Sequence, residues 1–200
     1  MKTARLAMVS IAAAVLFGAL AAAAPARNLS TSSQTLRSTF SAVNFRGVFG
    51  TTSCAVTLEG SLHTRTITKT VGSLIGYITR ASLGTCSALT ATILTATLPW
   101  HARYAGFEGT LPNILRLRTD ILGFSFAIRE TGGISCLLRS TATEPLRGEY
   151  ELSGGTVTGE TLSGSIRTGA ECFGVALTFT SDRAPVTVLN STTRITVRLI

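Results

Sequence analysis

Lysine, acidic residues and recognisable catalytic motifs are all scarce in this chain. Its 18 basic residues include only two lysines, Lys2 and Lys69, and it has 10 acidic residues and two histidines. It has no H-E-x-x-H zinc motif, no phosphate-binding glycine loop, no dinucleotide fingerprint and no G-x-S-x-G nucleophile turn. These absences argue against a metalloprotease, a nucleotide-dependent enzyme and a common form of serine hydrolase. The sequence predicts no cofactor and no metal.

The N-terminus has the pattern of a signal peptide. Lys2 and Arg5 precede the apolar run LAMVSIAAAVLFGALAAAA, residues 6–24, which ends in small residues. We expect cleavage after Ala23, so that residues 1–23 are removed; an uncleaved membrane anchor is the alternative. No later segment is apolar enough to span a membrane. The protein is therefore expected to be secreted or extracellular, or associated with the cell envelope.

The positive charge is carried almost entirely by arginine. The formal net charge of +8 falls to +6 when Lys2 and Arg5 leave with the signal peptide. One interpretation is a surface for an anionic partner such as a cell-envelope polymer. The other is the arginine-favouring codon usage of a high-GC genome. The arginines are scattered and form no cluster with aromatic residues, which favours the second interpretation and predicts no nucleic-acid partner.

The four cysteines predict two disulfides, because an even number in an exported chain is typical of a disulfide framework. Three connectivities are possible, and pairing of nearest neighbours favours Cys54–Cys86 and Cys136–Cys172. Each bridge would stabilise the fold by about 3–4 kcal/mol through loop entropy. A zinc site is disfavoured, since there is no C-x-x-C pair and neither histidine lies within a few residues of a cysteine.

Period-two alternation of apolar and polar residues recurs along the chain, whereas no long stretch has helical spacing. We predict a flexible Ser/Thr-rich leader over residues 24–38 and a single all-β domain over residues 39–200. About ten to twelve short antiparallel strands with close turns predict a β-barrel-like meander or a β-sandwich. The local disulfides and short connections favour the barrel-like meander.

The segment ILRLRTDILGFSFAIRE, residues 114–130, shows a change in this alternation. The alternating apolar residues, which would face inwards, first fall at odd positions, Leu115 and Leu117. They then shift to even positions, such as Phe124. A bulge or bend is therefore expected near Gly123.

The stretch TLPWHARYAGFEGTLP, residues 97–112, contains the one tryptophan of the chain. In a strand, Trp100 and Tyr104 share one face, while His101 and Arg103 share the other. This pattern favours a hairpin with a core tryptophan and a polar outer face. The alternative is a ligand platform of Trp100 and Tyr104, with the histidine and the arginine at its rim.

The segment HTRTITKT, residues 63–70, is predicted to be a strand, and the stretch LHTRTITK, residues 62–69, is a candidate site with three basic groups on one strand face. These groups are His63, Arg65 and Lys69. They form either a solvated face that protects an edge strand or a site for a carboxylate or phosphate.

A general acid–base pair would become available if the two histidines met across strands with a glutamate nearby. His63 and His101 are the two candidates, and Glu59 or Glu108 could complete such a pair in a hydrolase or isomerase. A glycosidase pair within RGEYELSGGTVTGETLSG, residues 147–164, is a further alternative. This segment is better interpreted as a polar hairpin whose glutamates face outwards.

The phrases FGTTSCAVTLEGSLHTRTITK and TLPWHARYAGFEGTLPNI, with the alanine-rich N-terminus and the arginine bias, resemble a group of small exported proteins of actinobacteria. The resemblance covers most of the mature chain. It implies export and a bacterial origin, and it carries over no activity and no catalytic residue.

Three functional hypotheses remain open on the sequence alone. The first is a non-enzymatic exported β-domain that binds a small apolar ligand or an anionic cell-envelope polymer. Its candidate ligand-binding residues are Trp100, His101, Arg103, Tyr104, His63 and Arg65. The second is an extracellular hydrolase or isomerase that uses a histidine with a nearby glutamate, and the third is a structural envelope protein without a site.

Overall fold

A computed structural model describes residues 28–47, 50–87, 90–129, 135–168 and 176–200. The predicted signal peptide and Cys172 lie outside the described residues, so cleavage after Ala23 and the bridge to Cys172 stay predictions. The other predicted bridge is confirmed, because Cys54 and Cys86 face each other on paired strands and are joined by a disulfide. No helix within the described ranges is long and apolar enough to cross a membrane.

Fifteen β-strands lie in the described ranges, together with a 3-10 turn at Thr95–Thr97, and the all-β prediction is confirmed. Strands of three or four residues account for the excess over the ten to twelve expected. In chain order they are β1 Asn28–Thr31, β2 Thr35–Gly47, β3 Gly50–Leu62, β4 Thr66–Thr68, β5 Leu74–Cys86, β6 Thr90–Ile93, β7 Trp100–Thr110, β8 Asn113–Leu122, β9 Ser125–Arg129, β10 Ser135–Arg139, β11 Leu146–Ser153, β12 Thr156–Arg167, β13 Ala176–Ser181, β14 Val186–Val188 and β15 Val197–Leu199.

Eight of these strands close into a barrel. Their order is β2-β3-β5-β7-β8-β11-β12-β13, all neighbours are antiparallel, and β13 pairs back onto β2, with Phe179 opposite Phe45. The spatial order follows the chain, so this is the meander that the short connections predict. Closure pairs the two strands that would otherwise be the edges of the sheet.

Strand β2 has two partners because it is interrupted by a bulge. Residues 36–38 pair with β14, whereas residues 43–46 pair with β13. At the bulge the carboxylate of Asp182 accepts hydrogen bonds from the backbone N–H groups of Ser41 and Ala42, at 3.1 and 3.2 Å. The carboxylate thereby satisfies amide groups that the interrupted ladder leaves unpaired.

Two three-stranded sheets pack on the barrel. In the sheet β15-β1-β4, the side chains of Leu29, Ile67 and Val197 are buried in one half of the interior. In the sheet β10-β9-β6, Phe126 and Leu138 are buried in the other half. Each small sheet therefore covers a different end of the apolar core.

Residues 28–38 belong to the predicted flexible leader, yet the structure places most of them in β1 and the start of β2. Leu29 is completely buried and Ser38 nearly so. Burial of one face of an alternating segment favours a paired strand over a flexible chain. The folded domain therefore includes Asn28.

Residues 63–70 do not form the single strand predicted for them. His63 begins a three-residue bend, and only Thr66–Thr68 pair, as β4 against β1. The carbonyl of Arg65 accepts a hydrogen bond from the N–H of Thr31 at 2.8 Å, which holds the bend against β1. The basic groups of this segment therefore do not line one strand face.

Residues 114–130 break at Gly123, as predicted. The φ angle of this glycine is +83°, and β8 ends immediately before it. The inward position predicted for Leu115 is wrong. The pairing of β8 with β7 passes from Arg116 directly to Ile114, so Leu115 is the extra residue of a bulge and its side chain is 63% exposed.

Candidate functional site

The interior of the barrel contains two apolar clusters of different character. The first is rich in aromatic rings. Phe45 lies 4.8 Å from Phe179, and Trp100 lies 4.8 Å from Phe124, measured between ring centroids. The second cluster is mainly aliphatic, and its buried members include Leu29, Ile67, Ile75, Leu117, Val157 and Val197.

Polar and small residues separate the two clusters. On β8, Thr119 lies between an inward residue of the aliphatic cluster and one of the aromatic cluster. The same position between the two clusters is occupied by Ser38 on β2, Gly148 on β11 and Glu160 on β12. We call these four residues and Tyr150, which interacts with Thr119 and Glu160, the polar layer.

Glu160 is the acidic residue of the polar layer and is only 2% exposed. The Ser38 hydroxyl donates a hydrogen bond to its Oε2 atom, and the Tyr150 hydroxyl forms a second hydrogen bond with the same carboxyl. Burial raises the pKa of Glu160 to about 7, while the two hydrogen bonds act in the opposite direction. Near neutral pH this carboxyl is therefore present in both protonation states.

Tyr150 lies directly opposite Glu160 in the pairing of β11 with β12. The residue is half-buried as a whole, and its hydroxyl end lies in the interior. Burial and then the charge of Glu160 raise the pKa of Tyr150 well above its usual value, and a hydrogen bond with Thr119 partly offsets this rise. The phenol therefore keeps its proton, and its O–H donates a hydrogen bond to Glu160 whenever Glu160 is ionised.

Gly148 provides the space that these side chains occupy. A Cβ atom at this position would lie 2.8 Å from Oγ1 of Thr119 and 3.1 Å from Oε1 of Glu160. The Thr119 hydroxyl also donates a long hydrogen bond, 3.4 Å, to the carbonyl of Gly148. A larger residue would displace Thr119 or Glu160, so the polar layer favours glycine here.

A cavity of about 70 Å³ lies in the aliphatic half of the barrel, next to the polar layer. Most of its wall is aliphatic, and Thr119 and Tyr150 bring polar groups to it. Gly60 and Gly76 also line the cavity, at a place where β3 and β5 approach closely. A buried water needs about 10–15 Å³ of such space, so the cavity admits a ligand of roughly five to seven non-hydrogen atoms.

Glu160 is not among the described residues that line this cavity. Tyr150, with which it interacts, does line the cavity. A general base must lie within hydrogen-bond reach of the proton that it removes. The arrangement therefore suits hydrogen bonding of one polar group on an apolar molecule, through Tyr150 and Thr119, better than direct proton removal by the carboxylate.

The structure places Trp100 and Tyr104 in the interior, where they are 0% and 2% exposed. The indole N–H of Trp100 donates a hydrogen bond to Oγ1 of Thr97 at 2.8 Å, and burial raises the pKa of Tyr104. His101 is exposed and Arg103 is half-buried on the opposite face of β7. The structure therefore does not bring these four residues together at one site.

The structure does bring His63 and His101 to the two sides of Tyr77. The ring centroid of Tyr77 lies 4.7 Å from that of His63 and 5.3 Å from that of His101, both in edge-to-face geometry. Tyr77 lies opposite His101 in the pairing of β5 with β7. This row of three rings was not predicted, because the bend at residues 63–65 that positions His63 was not predicted.

The two glutamates suggested as partners for the histidines are engaged by arginines. Glu59 forms an ion pair with Arg37 at 2.5 Å. Glu108 forms an ion pair with Arg116 at 2.9 Å and another with Arg118. In the described part of the chain, the structure therefore contains no histidine–carboxylate pair.

The remaining predicted groups are dispersed. Arg65 is exposed in the bend before β4. The Nζ atom of Lys69 lies 5.8 Å from the ring centroid of Phe107. In the described part of the chain these two side chains therefore share no common contact that would form one site.

The prediction that the glutamates of the β11–β12 hairpin face outwards is wrong for Glu160. Glu149 and Glu151 form ion pairs with arginines on the outer face, as expected for solvated positions. Glu160 instead shares the period-two phase of Leu162 and Ile166, which are both buried. That phase is the sequence signal that could have identified Glu160 as an interior residue.

Within the described ranges there is no group of three or more His, Cys, Asp or Glu residues suited to a metal ion. No family model, no curated protein and no solved structure matches this chain. Function must therefore be inferred from the chemistry of the cavity and of the outer surface.

Proposed function

We propose that the barrel binds a small, mainly apolar molecule that carries one hydroxyl or carbonyl group. The observation that supports this proposal is the aliphatic cavity with Tyr150 and Thr119 on its wall. Burial of the apolar part of the ligand supplies about 25 cal/mol per Å² removed from water. The two polar side chains fix the orientation of the ligand and discriminate against a pure hydrocarbon.

The polar layer is suited to this role because its hydrogen bonds hold Tyr150 in one place. Tyr150 interacts with Thr119 on β8 and with Glu160 on β12. A phenol held on two sides loses little freedom when it binds a ligand, and hydrogen bonds are electrostatically stronger away from water. The layer thus offers a preorganised contact to the one polar group of the ligand.

We also place this binding outside the cytoplasm. The apolar N-terminal run is the basis for export. The disulfide between Cys54 and Cys86 supports the same location, because such bridges persist in oxidising compartments.

Cyclopentanol and methylcyclopentane form a matched pair of probes, because they differ in whether the ring carries a hydroxyl or a methyl group. We expect both to shift the methyl NMR signals of Ile75 and Val197, which line the cavity. Tyr150→Phe should weaken cyclopentanol binding roughly fivefold, the equivalent of about one hydrogen bond, and leave methylcyclopentane binding unchanged.

Two further variants test whether the cavity is the site. Ala102→Leu adds a larger side chain to the cavity wall and should abolish binding of both probes. Leu115→Ala removes an exposed side chain and should change neither affinity. If neither probe shifts the cavity methyl signals of the folded wild-type protein at saturating concentration, the proposal is wrong.

A further inference from the structure

The row of rings formed by His63, Tyr77 and His101 lies on the outside of the barrel. Both histidines are exposed, and Tyr77 is half-buried. Each imidazole contacts the phenol ring edge-to-face. Exposed rings in a row provide apolar faces in a surface that is otherwise rich in threonine and arginine.

A polar groove of about 380 Å³ begins at one end of this row. It lies where β7 and the end of β8 meet the segment that follows β10. Its lining includes Thr97, Pro99, His101, Leu122, Arg139 and Thr141. His101 belongs to both features, so the row of rings and the groove form one continuous surface, which we call the ring-and-groove surface.

The charge of this surface is positive. Arg139 is exposed and forms no ion pair with any described residue, and no described carboxylate lines the groove. Other arginines of the barrel are neutralised, as Arg116 and Arg118 are by Glu108 and Glu149, although Arg46 and Arg103, like Arg139, form no ion pair with a described residue. A guanidinium without a carboxylate partner can bind an external anion in a bidentate manner.

We propose that the ring-and-groove surface binds an acidic polysaccharide. The apolar faces of successive sugar rings would pack on His63, Tyr77 and His101. A carboxylate of the polymer would bind Arg139, and the sugar hydroxyls would contact the threonines of the groove. A duplex nucleic acid fits less well, because its dense phosphates require many basic contacts, whereas the described groove offers one unpaired arginine and one histidine.

Tyr77 is shared by the two sites, since it lines the cavity and is the central ring of the row. The groove and both histidines are not part of the cavity lining, and the test of this site uses a different class of ligand. Failure of either proposal therefore leaves the other intact.

Carboxymethylcellulose and hydroxyethylcellulose share one backbone and differ in the charge of their substituents. By titration calorimetry at physiological ionic strength, we expect the wild-type protein to bind the carboxymethyl polymer more tightly. Arg139→Gln should weaken that binding roughly fivefold, as expected for loss of one charge-assisted contact. Arg46→Gln, which removes an exposed arginine outside the groove, is the matched control and should have little effect.

Variants of Tyr77, the central ring of the row, test whether the rings contribute to binding. Tyr77→Ser should weaken binding of both polymers, whereas Tyr77→Phe keeps the ring and should retain it. Equal affinity for the two polymers would overturn the proposal. So would an equal loss in Arg46→Gln and Arg139→Gln, or equal competition by duplex DNA, because either result indicates attraction by net charge alone.

Discussion

Ser38 and Glu160 are separated by 122 residues in sequence, yet the Ser38 hydroxyl donates a hydrogen bond to Oε2 of Glu160 inside the barrel. The contact joins β2, the first strand of the barrel, to β12, the strand before its last. Burial of a carboxyl opposes its ionisation and lowers stability when the group is charged. A buried acid beside a cavity is therefore better explained by recognition than by stability.

Glu160 should make stability depend on pH. Its pKa is about 7 in the folded protein and near 4.5 when the chain is unfolded. Between these values the folded state holds a proton that the unfolded state releases, so the free energy of unfolding falls as pH rises. The loss amounts to about 3 kcal/mol and is complete above pH 7.

Glu160→Gln should remove this dependence. The variant cannot ionise, so its melting temperature should change less than that of the wild type between pH 5 and pH 8. At pH 8 it should be the more stable protein. Glu149→Gln alters an outer-face ion pair and should keep the wild-type dependence on pH. An identical pH profile for the wild type and Glu160→Gln would contradict the assignment of this titration to Glu160.

The protonation state of Glu160 should also select the ligand. When Glu160 is ionised, the Tyr150 proton points to it, and the phenol oxygen is left to accept a hydrogen bond from a ligand hydroxyl. When Glu160 is protonated, its own O–H donates a hydrogen bond to the phenol oxygen, and the Tyr150 proton is then free to bind a ligand carbonyl. The affinity ratio of cyclopentanone to cyclopentanol, measured by NMR titration, should therefore be higher at pH 5.5 than at pH 8.5. The ratio should not change with pH in Glu160→Gln.

Gly148→Ala should destabilise the barrel by about 1–3 kcal/mol, because the added methyl group overlaps Thr119 and approaches Glu160. Chemical denaturation measures this loss. Ser163→Ala, at an exposed position on β12, should stay within about 0.5 kcal/mol of the wild type. A Gly148→Ala protein as stable as the wild type would show that the polar layer can rearrange around a side chain.

The double variant Cys54→Ser/Cys86→Ser should lose about 3–4 kcal/mol of stability, because its unfolded chain regains the freedom that the bridge removes. Its unfolding should no longer respond to a reductant at this site. Peptide mapping of the unreduced protein should also find Cys136 linked to Cys172. A peptide that joins Cys54 to Cys136 would contradict both pairings.

Much of the fold follows from period-two alternation and from turn residues. Alternation predicted the all-β class and the interior position of Trp100, and Gly123 predicted the break between β8 and β9. The errors arose where tertiary contacts override the local pattern. A bulge turns Leu115 outwards, and pairing with β1 shortens the strand predicted after His63 to three residues.

The candidate site was harder to predict, because its residues are inconspicuous in the sequence. Tryptophan and histidine are rare in this chain, so Trp100 and His101 attracted attention, whereas Glu160 resembled an ordinary surface glutamate in a polar hairpin. Glu160 lies two residues before the buried Leu162 on β12, and this period-two spacing places its side chain on the inward face. The contact with Ser38 could not be inferred from local sequence, since it exists only once the barrel has closed.

The pairing of β13 with β2 bears on how the chain is made. A nascent chain that has emerged only as far as β12 has two open edges, β2 and β12, and a concave apolar face with nothing to fill it. The strand that completes the barrel is among the last to be synthesised, and distant pairings of this kind form slowly. Until then the open edges and the apolar face are exposed to pairing with other chains. Such a delay in closure is compatible with the export that the N-terminal apolar run predicts.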